Sequence, residues 1–228
     1  MFSVGLGEPV EVSEFEVDRR RLGIIGGAVG ASFAVLVAEQ LFASGCRLLV
    51  SITSAGQVAP VATLPYFVLI DRALRDEGTS YHYLPASDFA DADQALVDRA
   101  AEVFAARRLT AIVGPSWTTD APFRETEGAV AAARAHRILA VEMEAAALYA
   151  FAAARRRAVL CLAYVTNKDG PELRGVRERR SQRHHGSPHD DRSAGPRADP
   201  ALKLAHRRGG PVTLTTRCGG RGRGRQRA

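Results

Sequence analysis

The sequence predicts an α/β fold, a mixed but mostly parallel sheet flanked by helices and followed by a disordered basic tail. Through residue 167, apolar runs of strand length alternate with amphipathic segments of helix length. Glycines punctuate the junctions between them, and beyond residue 167 both patterns stop. The 228 residues, 46% apolar, suit one such domain with a sizeable core.

Charge divides the chain at the same place. Residues 168–228 carry 16 Lys or Arg against 6 Asp or Glu; the 15 basic and 19 acidic residues left over give the body a net of −4. The pI near 9.7 therefore belongs to the tail and says nothing about the folded part. Three scattered cysteines exclude a disulfide framework or a zinc site, and Cys46 and Cys161 lie in apolar segments as reduced core residues. No apolar run is long and uninterrupted enough to span a bilayer. No cationic segment precedes an apolar one at the N-terminus, so a signal peptide is not expected and a cytoplasmic location is.

In chain order, a strand over 21–25 runs into Gly26, Gly27 and Gly30. A buried helix follows over 31–44, with Phe33, Leu36, Val37, Leu41 and Phe42 at helical spacing and Gly45 as its stop. Strands are expected over 47–52, breaking at 53–56, and over 66–70, then a helix over 91–106. The pattern continues with a strand over 109–113, a helix over 125–136 and a strand over 138–141. An alanine-rich helix over 142–154 and a strand over 158–165 complete it. Ligands of such sheets bind beyond the carboxyl ends of the strands. That rule selects residues 26–30, 54–56, 117–124, 142–144 and 166–167.

Each of these segments has a plain structural reading beside a chemical one. The GIIGGAVG run, 23–30, offers backbone N–H groups to an anion at a helix start. It lacks the dinucleotide spacing and the lysine of a Walker loop, and a tight turn explains it equally. Glu142-Met143-Glu144 places two carboxylates around a thioether at a strand-to-helix junction. Carboxylates accept hydrogen bonds from a ribose diol while Met packs on the sugar, and they favour an oxocarbenium-like transition state. They equally suit the positive end of a helix dipole, and spacing alone does not choose. The run 117–126 reads as a helix start, with Asp120 as N-cap and Pro122 in the first turn, or as a loop bringing Phe123 to an aromatic ligand. No metal-ligand or Ser/His/Asp spacing is present, so no metal is expected.

Together these segments resemble the nucleoside phosphorylase superfamily. ILAVEMEAAALYAF, 138–151, is similar to its V-E-M-E-A-A signature, and Thr53-Ser54-Ala55-Gly56 to its phosphate and base loop. The 26–30 turn resembles its ribose and phosphate turn, and 120–123 the segment ending in a base-stacking aromatic. The resemblance implies a barrel-like mixed sheet, homo-oligomeric assembly, no cofactor, and a nucleoside and inorganic phosphate as substrates. The products would be free base and ribose 1-phosphate. By position, Glu144 would hold the diol, Met143 would underlie the sugar and Glu142 would support them. Gly30 and Ser54 would meet phosphate, and Gly56, Pro122 and Phe123 would meet the base.

Asn167 falls where purine-specific relatives carry an acidic residue that protonates the leaving base. An amide cannot donate that proton, which leans the reading toward a uridine phosphorylase-like enzyme. Two phosphate arginines are missing: the N-terminal Gly-Asp-Pro-x-Arg loop is absent, and Ser51 replaces the arginine ahead of the 53–56 loop. Hydrolysis without phosphate, or an inactive nucleoside-binding relic, are the alternatives. The chain also leaves the family pattern after Asn167, so 1–167 reads as a domain incomplete at both ends. The Lys-free, Ala-rich body suits a GC-rich gene, and the Arg-Gly-Pro-His mixture of 168–228 reads as an out-of-frame product. An RNA-binding arm is the competing view, but the tail has no aromatic residue for stacking bases, so nucleic acid is not the expected partner.

Overall fold

A computed structural model describes residues 12–168 and 213–218. An N-terminal hairpin pairs β1 (Ser13–Val17) with β2 (Arg20–Gly26), and its turn holds Asp18 and Arg19 at positive φ. Helix α1 (Ala31–Ala43) follows, then β3 (Cys46–Gln57), β4 (Tyr66–Asp76) and the short β5 (Phe89–Asp91). The chain continues through α2 (Gln94–Ala106), β6 (Ala111–Thr119), α3 (Glu127–Ala135) and β7 (Ala140–Glu142). It then forms α4 (Ala145–Arg155), β8 (Val159–Lys168) and, after a gap in the description, β9 (Thr213–Cys218).

Five strands close into a ring in the order β3, β7, β6, β4, β8 and back to β3. Pairings β3–β8, β4–β6 and β6–β7 are parallel, which is the component that strand–helix alternation predicts. The antiparallel pairings come from strands whose neighbours in space are not neighbours in sequence, and from β1, β5 and β9, which periodicity did not reveal. Thr213–Cys218 lies in the segment expected to be foreign to the fold. It pairs antiparallel with both β2 and β3. The readings made for 169–212 and for the Arg-Gly run 219–227 lie outside the described residues.

The central apolar cluster lies between the ring and the helices α1 and α4. Ala31, Ala34, Val35, Ala38 and Leu41 of α1 face Ala146, Ala147, Leu148 and Phe151 of α4 over Leu49, Val68 and Ile70. Small residues let the two helices approach the sheet closely, and α4 is buried from Ala145 to Phe151. A second cluster under α2 joins Leu69, Val97, Leu160 and Leu162, and a third under α3 joins Val58, Trp117, Val130, Ile138 and Val141.

Tyr149 of α4 serves the sheet directly. Pairing of β4 with β8 ends at Leu69 and Leu162. At the next step the Tyr149 hydroxyl donates to the Ile70 carbonyl (2.7 Å) and accepts from the Cys161 N–H (3.0 Å). The phenol thus stands in for a missing ladder bond where the strands part.

Candidate active site

The site is assembled where β6 and β7 end and α4 begins. Ser116 and Thr118 alternate with Trp117 on β6, so both hydroxyls point to one face, toward β7. They donate to the same Glu142 oxygen, Oε1, at 3.0 and 2.5 Å. The other oxygen, Oε2, accepts the N–H groups of Glu144 and Ala145, both at 2.7 Å. Those amides are among the orphan donors of the α4 N-terminus, so Glu142 caps the helix from two residues ahead. The Thr118 hydroxyl also accepts the Ala146 N–H (2.9 Å), welding β6 to the helix. Glu142 is 3% exposed, and all of its acceptor capacity faces protein. Burial, with the charge of Glu144 beside it, pushes its carboxyl up to about 7 against the lowering effect of Thr118 and the two amides.

Glu144 turns the other way, toward the 26–30 turn. Its Oε1 accepts the Gly30 N–H at 2.7 Å and its Oε2 the Thr53 hydroxyl at 2.8 Å, with the Met143 N–H at 3.3 Å. Gly30 has φ +90°, a conformation that suits glycine, and is the N-cap of α1. One carboxylate therefore ties together the turn after β2, the middle of β3 and the start of α4. Burial raises the Glu144 carboxyl above the ordinary range, while Gly30, Thr53 and Met143 as donors hold it down. No cluster of His, Cys, Asp or Glu among the described residues could hold a metal ion.

A buried acidic pair split between a helix cap and a glycine turn, on a ring-shaped α/β sheet, can be compared with known proteins. The family model described as the phosphorylase superfamily matches residues 9–187. The chain belongs to that superfamily. It is 29% identical over 136 residues to a DeoD-type purine nucleoside phosphorylase of Myxococcus xanthus (strain DK1622), covering 59% of this chain and 57% of that protein. A DeoD-type purine nucleoside phosphorylase of Brevibacillus brevis (strain 47 / JCM 6285 / NBRC 100599) is 26% identical over 150 residues, covering 65% and 64%. The chain spans about three-fifths of the length of these curated relatives. In structure it is similar to an AMP nucleosidase from Bacteroides thetaiotaomicron VPI-5482, with TM-score 0.57, 16% identity, and 72% and 79% of the two chains covered. That likeness is one of fold.

Within this phosphorylase-superfamily fold, the residues singled out from sequence fall into two groups. Gly30, Glu142, Met143 and Glu144 come together with Thr53, and Met143 is part-buried between the two carboxylates in sequence. Gly56 and Asn167 are register partners across β3 and β8, next to a bulge at Ala55/Gly56 that bends the strand end. Asn167 is part-buried, and its side-chain oxygen accepts from the Thr166 hydroxyl (3.2 Å).

Pro122 and Phe123 do not join the carboxylates by any described contact. They form a short 3-10 turn, Pro122–Arg124, and Phe123 is 88% exposed. Asp120 is not the cap of the following helix: it accepts the Gly78 N–H (3.0 Å), and Thr126 caps α3 through the Ala129 N–H. Proline at the first position of the 3-10 turn takes the role expected of it in a helix start, and α3 begins one turn later. Ser54 points outward and is exposed, whereas Thr53 is buried. Thr53 entered the sequence reading only as part of the 53–56 loop and Thr118 only as part of the 117–124 segment, neither with a role of its own, and Ser116 escaped it. Their only signal was a hydroxyl at every second position near a strand end.

Proposed function

We propose that this protein cleaves the N-glycosidic bond of a nucleoside by phosphorolysis, releasing the free base and ribose 1-phosphate. The observation that carries the reading is the Glu144 carboxylate, buried at the α4 start with one short bond to each oxygen, from Gly30 and Thr53, and a longer one from the Met143 N–H on Oε2. A carboxylate offers about four acceptor positions. The Gly30 N–H takes one on Oε1 and the Thr53 hydroxyl one on Oε2, where the Met143 N–H makes a longer contact (3.3 Å), so a ribose diol would use the open position on Oε1 and take the place of the Met143 contact on Oε2. A negative charge held there, away from bulk water, favours the positive charge that develops on the sugar as the bond to the base breaks. Met143 would pack under the ring, and Ser54 would present its hydroxyl to phosphate, the Gly30 N–H expected there being engaged by Glu144.

Asn167, beside Gly56, would meet the base. Its amide can hydrogen-bond a leaving pyrimidinedione, whose charge spreads onto its carbonyl oxygens, but it cannot supply a proton to a leaving purine. A uridine-type substrate follows from this. A second reading is hydrolysis. Ser51, where the resemblance expects a phosphate arginine, is a buried serine, and among the described residues no arginine bonds Gly30, Thr53 or Ser54.

The deciding experiment incubates the purified chain with uridine, inosine and adenosine, with and without inorganic phosphate, and separates bases from nucleosides. Uracil released only with phosphate is the expected result. Release without phosphate establishes the hydrolytic reading, and no release from any nucleoside sinks both. Glu144→Gln should lower kcat/KM by roughly 10²- to 10³-fold, with retention of the fold checked by circular dichroism. Homo-oligomeric assembly belongs to the same reading, and sedimentation checks it.

A further inference from the structure

Residues 53–56 present alternate side chains to opposite sides of β3, and Ser54 points outward. Thr53 points inward, 4% exposed, with its hydroxyl 2.8 Å from Glu144 Oε2. The two shortest bonds to Glu144, from Gly30 and Thr53, differ in what holds their donors. Gly30 belongs to a turn with two glycines at positive φ, and a Cβ added at Gly30 would meet nothing within 4 Å. Thr53 sits in mid-strand, paired with Ala163 of β8 and next to Ile52, which pairs with Thr213 of β9. The last torsion of a glutamate is broad, so the plane of its carboxylate is set by whatever donors are fixed around it.

We infer that Thr53 is a positioning residue: its hydroxyl, anchored in the sheet, holds the Glu144 carboxylate in the orientation that receives the ribose diol. The inference rests on Glu144 being the ribose carboxylate. Glu144 is 2% exposed, and of its two short bonds the one from Thr53 is anchored in the paired sheet while the other comes from the glycine turn. The hydroxyl also works against protonation of the group, as the Gly30 N–H does. Burial favours the protonated form and the Thr53 bond opposes it. The other titratable groups nearby are Glu142 on β7, Cys161 on β8 and Tyr149 on α4; the thiol and the phenol are held neutral by burial. The described ion pairs, Arg21–Glu14 and Arg155–Glu39, both lie elsewhere.

Thr53→Val keeps the shape and removes the donor, and Thr53→Ser keeps the donor. In the full chain labelled with ¹³C at glutamate carboxyls, the Glu144 signal is identified by its loss in Glu144→Gln and titrated in each variant. Thr53→Val should raise the titration midpoint of Glu144, and Thr53→Ser should restore it. An unchanged midpoint in Thr53→Val overturns the inference. If that variant fails to fold, Thr53→Ala is titrated in its place and read in the same way. With a cleaved nucleoside, Thr53→Val should also move the acid limb of the kcat/KM profile to higher pH and raise KM roughly tenfold. An unmoved limb and KM in an active enzyme count equally against it. If the unaltered chain cleaves no nucleoside, the proposed function falls, and the carboxyl titration still decides whether Thr53 holds Glu144.

Discussion

Glu142 and Glu144 stand two residues apart and do different work. The E-x-E spacing fitted a helix cap and a sugar ligand equally well, and the structure gives the two carboxylates different partners. Glu142 takes the cap, with four protein donors around it, and Glu144 faces the glycine turn. The sequence could not divide them because the partners, Ser116, Thr118, Thr53 and Gly30, lie between 24 and 114 residues away. Glu142 makes stability depend on pH. Its carboxyl, raised from 4.5 to about 7, stays protonated in the fold over a range where the unfolded chain has already released the proton. Its contribution is therefore full below about 4.5 and is lost as pH rises through about 7. In Glu142→Gln, urea unfolding at a series of pH values from 4 to 8 should show a flatter dependence than the unaltered chain. Parallel curves for the two would remove the raised carboxyl from consideration.

At the scale of elements, the four helices and the strands other than β1, β5 and β9 were legible in position, and their lengths were not. β3 runs on through Thr53 to Gln57, and β4 through to Asp76, where the sequence suggested loops. In both, polar residues alternate with buried ones near the strand end, and composition alone reads such mixtures as turns. The helix expected from Asp91 begins at Gln94, because Asp91 ends β5 and Asp93 caps α2 through Ala95 and Leu96. The tyrosine of the A-A-A-L-Y run was legible only as a core residue, since its polar role needs two strands distant in sequence. Tyr149→Phe keeps the packing and strands the Ile70 carbonyl and the Cys161 N–H. Loss of these bonds should cost about 1–3 kcal/mol in chemical denaturation. A change under a few tenths would mean that water takes the place of the hydroxyl.

For the whole molecule, the alternation of strands and helices made the α/β class readable, while the closure of five strands into a ring depends on pairings that no local pattern encodes. Phe123 illustrates the limit: its place after β6 was legible, and its full exposure was not. The ring and the hairpin should differ in hydrogen exchange. Among the described residues, β3, β4, β6 and β8 are paired on both sides over part of their length, whereas the β1–β2 hairpin joins the sheet only through β9. Amides of β1 and β2 should therefore exchange well before those of the ring, as mass spectrometry after brief deuteration can resolve. Equal protection would show that the hairpin and ring open as one unit.

The ring also bears on how the chain is made. β3 and β4 follow one another in sequence, yet they are separated in space by β8, which is synthesised some ninety residues after β4. Until β8 emerges, both strands present bare hydrogen-bonding edges rich in valine, leucine and isoleucine to whatever else is in solution. Such late, long-range closure slows folding and leaves time for the wrong partner. A nascent chain stopped before β8 is therefore a sticky object, and the seam between β3 and β4 is where a chaperone would be most needed.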